Sequence, residues 1–197
     1  TYNATKLSYY TPKYMGFQGG VSYTPKTDSR GQTLNRADGS GISDVWDLGL
    51  SYDNQFASGV KLAAAATGEF GNAETAVEDT KAWNLGALVG YKGFSVAGSY
   101  GDWSDSENTN GLNSTYWTAG LGYEAGAYGL SATYIDSTRE VSATTENDFT
   151  NLVLGADYKL APGLTPYAEV SFYEFDSADN SYDNQGTSVI LGTQVAF

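Results

Sequence analysis

Nine stretches of this chain repeat one pattern, an apolar residue at every second position with a small or polar residue between. "FQGGVSY" sets Phe17, Gly19, Val21 and Tyr23 on one side, and "WDLGLSY" sets Trp46, Leu48, Leu50 and Tyr52. "VKLAAAATGEF", "WNLGALVGY", "FSVAGSY", "WTAGLGY", "YGLSATY", "LVLGADY" and "LTPYAEVSF" obey the same rule. A strand turns successive side chains to opposite faces, so a period of two is the mark of a strand whose faces meet different surroundings. With "KLSYY" near the start and "GTSVILGTQVAF" at the end, the pattern predicts about eleven strands and an all-β, antiparallel fold.

The bounds of the apolar face say what that face meets. In most of these stretches it begins and ends in an aromatic ring, as in Trp46 and Tyr52, Trp83 and Tyr91, or Trp117 and Tyr123. Tyr158 and Phe197 close the apolar faces of two further stretches. The usual spacing of six residues spans ~15–20 Å along the axis of a tilted strand. Trp and Tyr favour the two interfaces of a bilayer, where the ring is half buried and its polar atom stays wet. Two aromatic rings bounding an apolar band predict a transmembrane β-barrel rather than a soluble sandwich. The connections agree. "TPKYMG", "DNQFASG", "KG", "EAGA" and "KLAPG" are short. "TPKTDSRGQTLNRADGSG", "GNAETAVEDT", "GDWSDSENTNG", "IDSTREVSATTEN" and "DSADNSYDNQG" are long and polar. Short turns on one side and long loops on the other belong to outer-membrane barrels.

Composition closes other routes. The 197 residues contain no Cys and no His. Disulfides, thiolate metal sites and the commonest general base are therefore absent, which leaves an outer-membrane lipase or protease without its chemistry. A net charge of −13 argues against nucleic acid as a partner. No apolar run approaches the ~18 residues of a membrane helix.

The hairpin "KLSYYTPKYMGFQGGVSYTPK" resembles the strand pair that follows the constriction loop in the general porins of the Gram-negative outer membrane, of the alphaproteobacterial type. Strand, Thr-Pro, short turn, Gly-Phe and "VSYTP" occur in that order. The terminal "QVAF" resembles the family's ending, whose last Phe the assembly machinery recognises. The resemblance covers essentially the whole chain. It implies a trimeric, sixteen-stranded barrel with long loops outside and the C-terminus in the periplasm. It also implies a water-filled channel for passive diffusion of ions and small hydrophilic solutes. About eleven strands from a periplasmic C-terminus place the chain's start on the outside, whereas complete bacterial barrels have an even strand number. Residues 1–197 are thus expected to be one transmembrane domain, N-terminally incomplete, forming the C-terminal two-thirds of a porin.

Inverting the apolar assignment gives the pore-lining set. Its charged members are Lys6, Asp47, Lys61, Glu69, Asp157, Lys159 and Glu169. Ser8 joins them because the family often places an Arg there, with Lys6 two residues along on the same face. The acids outnumber the bases, so a modest cation preference is expected. The alternative is a plugged structural or adhesive barrel whose acidic loops bind a partner. Asp105, Glu107, Asp179 and Asp183 are weak Ca²⁺ candidates, since neither loop has the calcium-loop spacing. No other cofactor is expected. The bilayer and lipopolysaccharide are the expected surroundings, with divalent ions bridging loop acids to lipid. "LAAAATG" is the candidate protomer contact of a homotrimer.

Overall fold

A computed structural model describes residues 4–27, 41–104, 106 and 111–196. Eleven strands follow one another. They are β1 (Leu7–Tyr10), β2 (Phe17–Lys26), β3 (Ile42–Gln55), β4 (Lys61–Ala73), β5 (Thr80–Tyr91), β6 (Phe94–Asp102), β7 (Ser114–Ala125), β8 (Tyr128–Ser142), β9 (Thr145–Tyr158), β10 (Leu164–Asp176) and β11 (Asn184–Val195). All lie in one antiparallel sheet whose strand order is the chain order. Every connection therefore joins immediate neighbours, which antiparallel pairing permits with a tight turn. Among the described residues β1 and β11 pair on one side only and are the two edges of the sheet. The one helical element among them is a single 3-10 turn, Asn180–Tyr182. Among the described residues no helix is long and apolar enough to cross a membrane.

Two short turns show how local chemistry sets the register. Tyr14 bridges Phe17 across Met15 (φ 48°) and Gly16 (φ 90°), and Tyr91 pairs Phe94 across Lys92 (φ 49°) and Gly93 (φ 87°). Two successive positive φ values make a type I′ turn, whose twist matches that of the strands it joins. Any side chain on Gly16 would also begin 2.9 Å from the carbonyl oxygen of Asp53.

The strands run further towards the long connections than alternation alone predicts. "IDSTREVSATTEN" reads as a long loop, but β8 continues to Ser142 and β9 starts at Thr145. Most of that loop is a hairpin, with Arg139 opposite Asn147 and Glu140 opposite Glu146. Backbone pairing needs no apolar face once the strands leave the apolar band. Polar side chains then bond one another, as Thr138 Oγ1 does to Asp148 Oδ1 at 2.7 Å.

The partition of residues between faces is inverted relative to a soluble domain. Among the described residues the buried apolar side chains are Ile42, Val45 and Ala82. Leu50, Val96, Leu121 and Leu191 are 54%, 58%, 62% and 78% exposed. In β5, Trp83, Leu85, Ala87, Val89 and Tyr91 stand in the open, while Asn84, Gly86 and Leu88 are half-buried and Gly90 is buried. A curled sheet spreads its outer side chains and crowds its inner ones, so the apolar face is convex and the polar face concave. A continuous exposed apolar face of this extent marks a surface made for lipid or a partner.

Aromatic pairs bound that face at both ends. Towards the long connections, ring centroids of Tyr23–Trp46, Trp83–Tyr100 and Trp117–Tyr134 lie 4.8, 5.4 and 5.2 Å apart. Towards the short turns, Phe17–Tyr52, Phe94–Tyr123 and Tyr128–Tyr158 lie 4.6, 4.4 and 4.8 Å apart. Tyr91 belongs to the second set, with the Lys92 ammonium 5.2 Å from its ring. Phe197 lies outside the described residues.

Candidate functional site on the concave wall

Residues directly opposite on paired strands share a face, so the register fixes which side chains stand side by side. One concave row runs Ser8, Ser22, Asp47, Glu69 across β1 to β4. The hydroxyls of Ser8 and Ser22 share a hydrogen bond of 2.9 Å. Asp47 and Glu69 are immediate cross-strand neighbours, an arrangement that costs stability between like charges. Water in an open recess lowers that cost, and a cation lies nearby. Lys6, Thr67, Asn84 and Tyr116 line the same recess of about 480 Å³ as the two acids. The structure thus brings together Lys6, Ser8, Asp47 and Glu69 from the sequence-predicted set.

The other four lie away from this recess. Lys61 opens β4 opposite Gln55, eight positions from Glu69, or roughly 26 Å along the strand at ~3.3 Å per residue. Asp157 lies on the concave face of β9, and a Cβ on its neighbour Gly129 would strike its carboxylate. Glu169 sits between Gly155 and Ile190 on the same face. Lys159 falls just past the end of β9, where its Nζ is 3.9 Å from Glu124 Oε2 and both side chains are exposed. It is a rim residue, and such a pair is worth at most about 1 kcal/mol.

Sequence reading took the concave face to be small and polar, and this is incomplete. Tyr10, Tyr116, Tyr167 and Tyr173 all sit on it, each directly opposite a glycine: Gly20, Gly101, Gly192 and Gly186. Each ring lies over its glycine, so that a Cβ on Gly186 would be 2.6 Å from Tyr173 Oη and one on Gly20 2.9 Å from the Tyr10 ring. The glycine exposes backbone that the ring covers, a device that pins register. Tyr116 further accepts a hydrogen bond from the Asn84 amide. Phe149 and Phe175, directly opposite each other, extend the aromatic surface towards the long connections. The signal was present in "SFYEFD", where Tyr173 and Phe175 share the parity of Ser171.

The acidic loop candidates are engaged by their own loop. Asp179 Oδ1 accepts from the Ser181 hydroxyl at 2.7 Å and from the Ser181 N–H at 3.2 Å, and Asp183 accepts from the Ser177 N–H at 2.8 Å. The Ser181 hydroxyl, and then its backbone N–H, hold the Asp179 carboxyl below its ordinary range. Among the described residues, no group of three or more acidic side chains is placed to hold a metal ion. Asp105 and Glu107 lie outside the described residues.

A sheet with an open apolar convex face, aromatic borders and a charged, hydroxyl-lined concave face can divide lipid from water. Comparison with known proteins gives the same answer, since the family model for Gram-negative porins matches residues 1–178. This chain belongs to the Gram-negative porin family. An uncharacterized protein of Rickettsia bellii is 29% identical over 254 aligned residues, covering 98% of this chain and 57% of its own length. One of Rickettsia typhi is 27% identical, covering 100% and 58%. The chain therefore spans under three-fifths of the length of these curated relatives. The outer-membrane channel DcaP of Acinetobacter baumannii superposes with a TM-score of 0.66 at 12% identity, over 98% of this chain and 62% of that one. A loop-deletion mutant of OmpT, an outer-membrane protein of Vibrio cholerae, gives 0.56 at 20% identity, over 93% and 61%. These two likenesses are of fold alone. As a porin, the chain is an outer-membrane β-barrel wall, its convex face turned to lipid, and its family is one of channels rather than enzymes.

Proposed function

We propose that this porin forms the wall of a water-filled channel for passive diffusion of ions and small hydrophilic solutes, with a modest cation preference. The observation that carries this reading is the inverted partition of faces. A polar, charged concave surface opposite an apolar convex one is what a lumen requires. Lys6, Ser8, Asp47, Lys61, Glu69, Asp157 and Glu169 line that lumen, with Lys159 at its rim. Asp47, Glu69, Asp157 and Glu169 outnumber Lys6 and Lys61, which supports the sign of the preference.

Four further points belong to the same proposal. The open edges of β1 and β11, with the shorter span against the relatives, support a wall completed by additional strands. The short turns and C-terminus face the periplasm and the long connections face outward. The small convex side chains Ala64, Ala66 and Gly68 supply the contact of a homotrimer, because small residues allow close approach. Loop acids, Asp179 and Asp183 among them, meet lipopolysaccharide through divalent ions such as Ca²⁺, with no resident cofactor.

Proteoliposome swelling tests the central proposal. Vesicles containing the folded full chain should swell in small sugars at rates that fall steeply with solute size. Swelling no faster than in protein-free vesicles would overturn it.

A further inference from the structure

Arg139 is a cation without a counter-charge in a chain of net charge −13. It stands on the concave face of β8, opposite Ser114 on β7 and Asn147 on β9. Its side chain is exposed, and among the described residues no carboxylate forms an ion pair with it. Alternation explains why. Glu140, Glu146, Asp148 and Asp176 occupy the intervening positions of β8, β9 and β10 and stand on the convex face. On the concave face of β7 to β10 the nearest acid is Glu169, six positions from Phe175, or roughly 20 Å at ~3.3 Å per residue. Glu69 lies four strands away on β4, about 19 Å at the strand spacing. Both separations exceed the screening length of ~8 Å at physiological salt. Arg139 therefore keeps a local positive potential within an acidic molecule.

The surroundings of this cation are donors and aromatic rings. Asn147 Oδ1 accepts from the Ala178 N–H at 2.8 Å, which leaves the amide nitrogen to donate beside the guanidinium. Two residues along the strands, roughly 7 Å away, runs the concave row Tyr116, Ser137, Phe149, Phe175. Trp103, 42% exposed, approaches from the β6–β7 connection. Together these side chains bound a recess of about 570 Å³. Trp103 also lines the neighbouring recess that holds Asp47 and Glu69, so its indole stands between the acidic recess and the basic one.

We infer that the Arg139 recess binds an aryl carboxylate, a flat aromatic ring bearing one carboxylate. The guanidinium fork matches a carboxylate with two parallel N–H bonds, and the Asn147 amide adds a third donor. The rings of Trp103, Tyr116, Phe149 and Phe175 offer offset or edge contact to an aromatic ligand. An apolar lining with a few convergent polar groups is the ordinary make-up of a small-molecule site. An inorganic anion would engage Arg139 and leave the rings without a partner. A neutral ring would leave the fork empty. The proposal goes beyond the channel reading, because it needs only a concave face open to water.

The full chain, folded in detergent, is titrated with benzoate, with benzamide (the ring without the charge) and with acetate (the charge without the ring). Trp103 is the reporter, because Trp46, Trp83 and Trp117 lie in the ring of the convex face, and calorimetry gives a second readout. The expected result is a saturable change in tryptophan emission with benzoate, at least tenfold weaker for benzamide and for acetate. Trp103→Phe should abolish the emission change. Arg139→Gln should weaken benzoate about tenfold and remove its advantage over benzamide. Phe149→Leu/Phe175→Leu should weaken benzoate about tenfold and leave acetate unchanged, with heat-modifiable gel mobility as in the parent chain. If the leucine variant fails to fold, Arg139→Gln decides the matter, since its side chain is exposed. No saturable binding, benzamide binding as tightly as benzoate, or an unaltered benzoate response in Arg139→Gln would overturn the site. Single-channel current separates this proposal from the channel reading. Ion current without benzoate binding overturns the site alone, whereas benzoate binding without ion current overturns the channel and leaves the site.

Discussion

Tyrosine laid over glycine recurs four times on the described concave face, and it has a cost when disturbed. Gly186→Val would drive a branched side chain into Tyr173, whose hydroxyl already lies 2.6 Å from the position of a Cβ. Overpacking of this kind costs about 1–3 kcal/mol. The urea midpoint of the folded barrel, read by gel mobility, should fall accordingly, and Tyr173→Ala in the same chain should restore part of it. Asp47 and Glu69 give the second prediction at this scale. Asp47→Asn with Glu69→Gln removes two adjacent wall charges and should move the low-salt reversal potential towards zero with little change in stability. At the level of residues the sequence was partly legible. Period-two parity placed the four members of the Lys6–Glu69 recess on one face. It does not reveal the concave tyrosines, because the bulkier face dominates the alternation, and parity cannot show that a ring will lie over the neighbouring strand's glycine.

Among the elements, β11 offers the sharpest contrast. Leu191 projects from its convex face and is 78% exposed, while Ser188 occupies its concave face. An arginine on the lipid side near the bilayer midplane costs about 2–4 kcal/mol, whereas lumen positions tolerate charge. Leu191→Arg should therefore lower the folded fraction strongly in bilayers, and Ser188→Arg should leave it near that of the parent chain. The loop before β11 carries a pH dependence. The Asp179 carboxyl is held below its ordinary value of 3.8, so the order it provides is present above that value. That order is lost as pH falls through the lower folded value. Amide exchange over residues 177–183 should speed up in that acid range, and Asp179→Asn should abolish the step. Element existence was legible, since all eleven strands and their order follow from alternation and turn residues. Their outer ends were not. Above the apolar band β8 and β9 stay paired through residues such as Thr138, Asp148, Arg139 and Asn147, and polar strands carry no alternation to read.

For the molecule as a whole, the informative quantity is the direction in which apolar surface points. Only Ile42, Val45 and Ala82 are buried apolar residues among the described ones, so no hydrophobic core of the ordinary kind holds the sheet together. Backbone pairing along the whole ladder and insertion of the convex face into lipid replace it, because a bilayer leaves no water to satisfy unpaired backbone groups. Aromatic borders made this legible from sequence, and the long polar connections gave the sheet its two distinct ends. The measurement that tests this account most directly is single-channel recording of the detergent-purified full chain in a planar bilayer under a salt gradient. Large stepwise openings, grouped in threes, are expected, with a reversal potential showing modest cation preference that shrinks as salt is raised. A correctly folded barrel that inserts yet conducts no ions would contradict it.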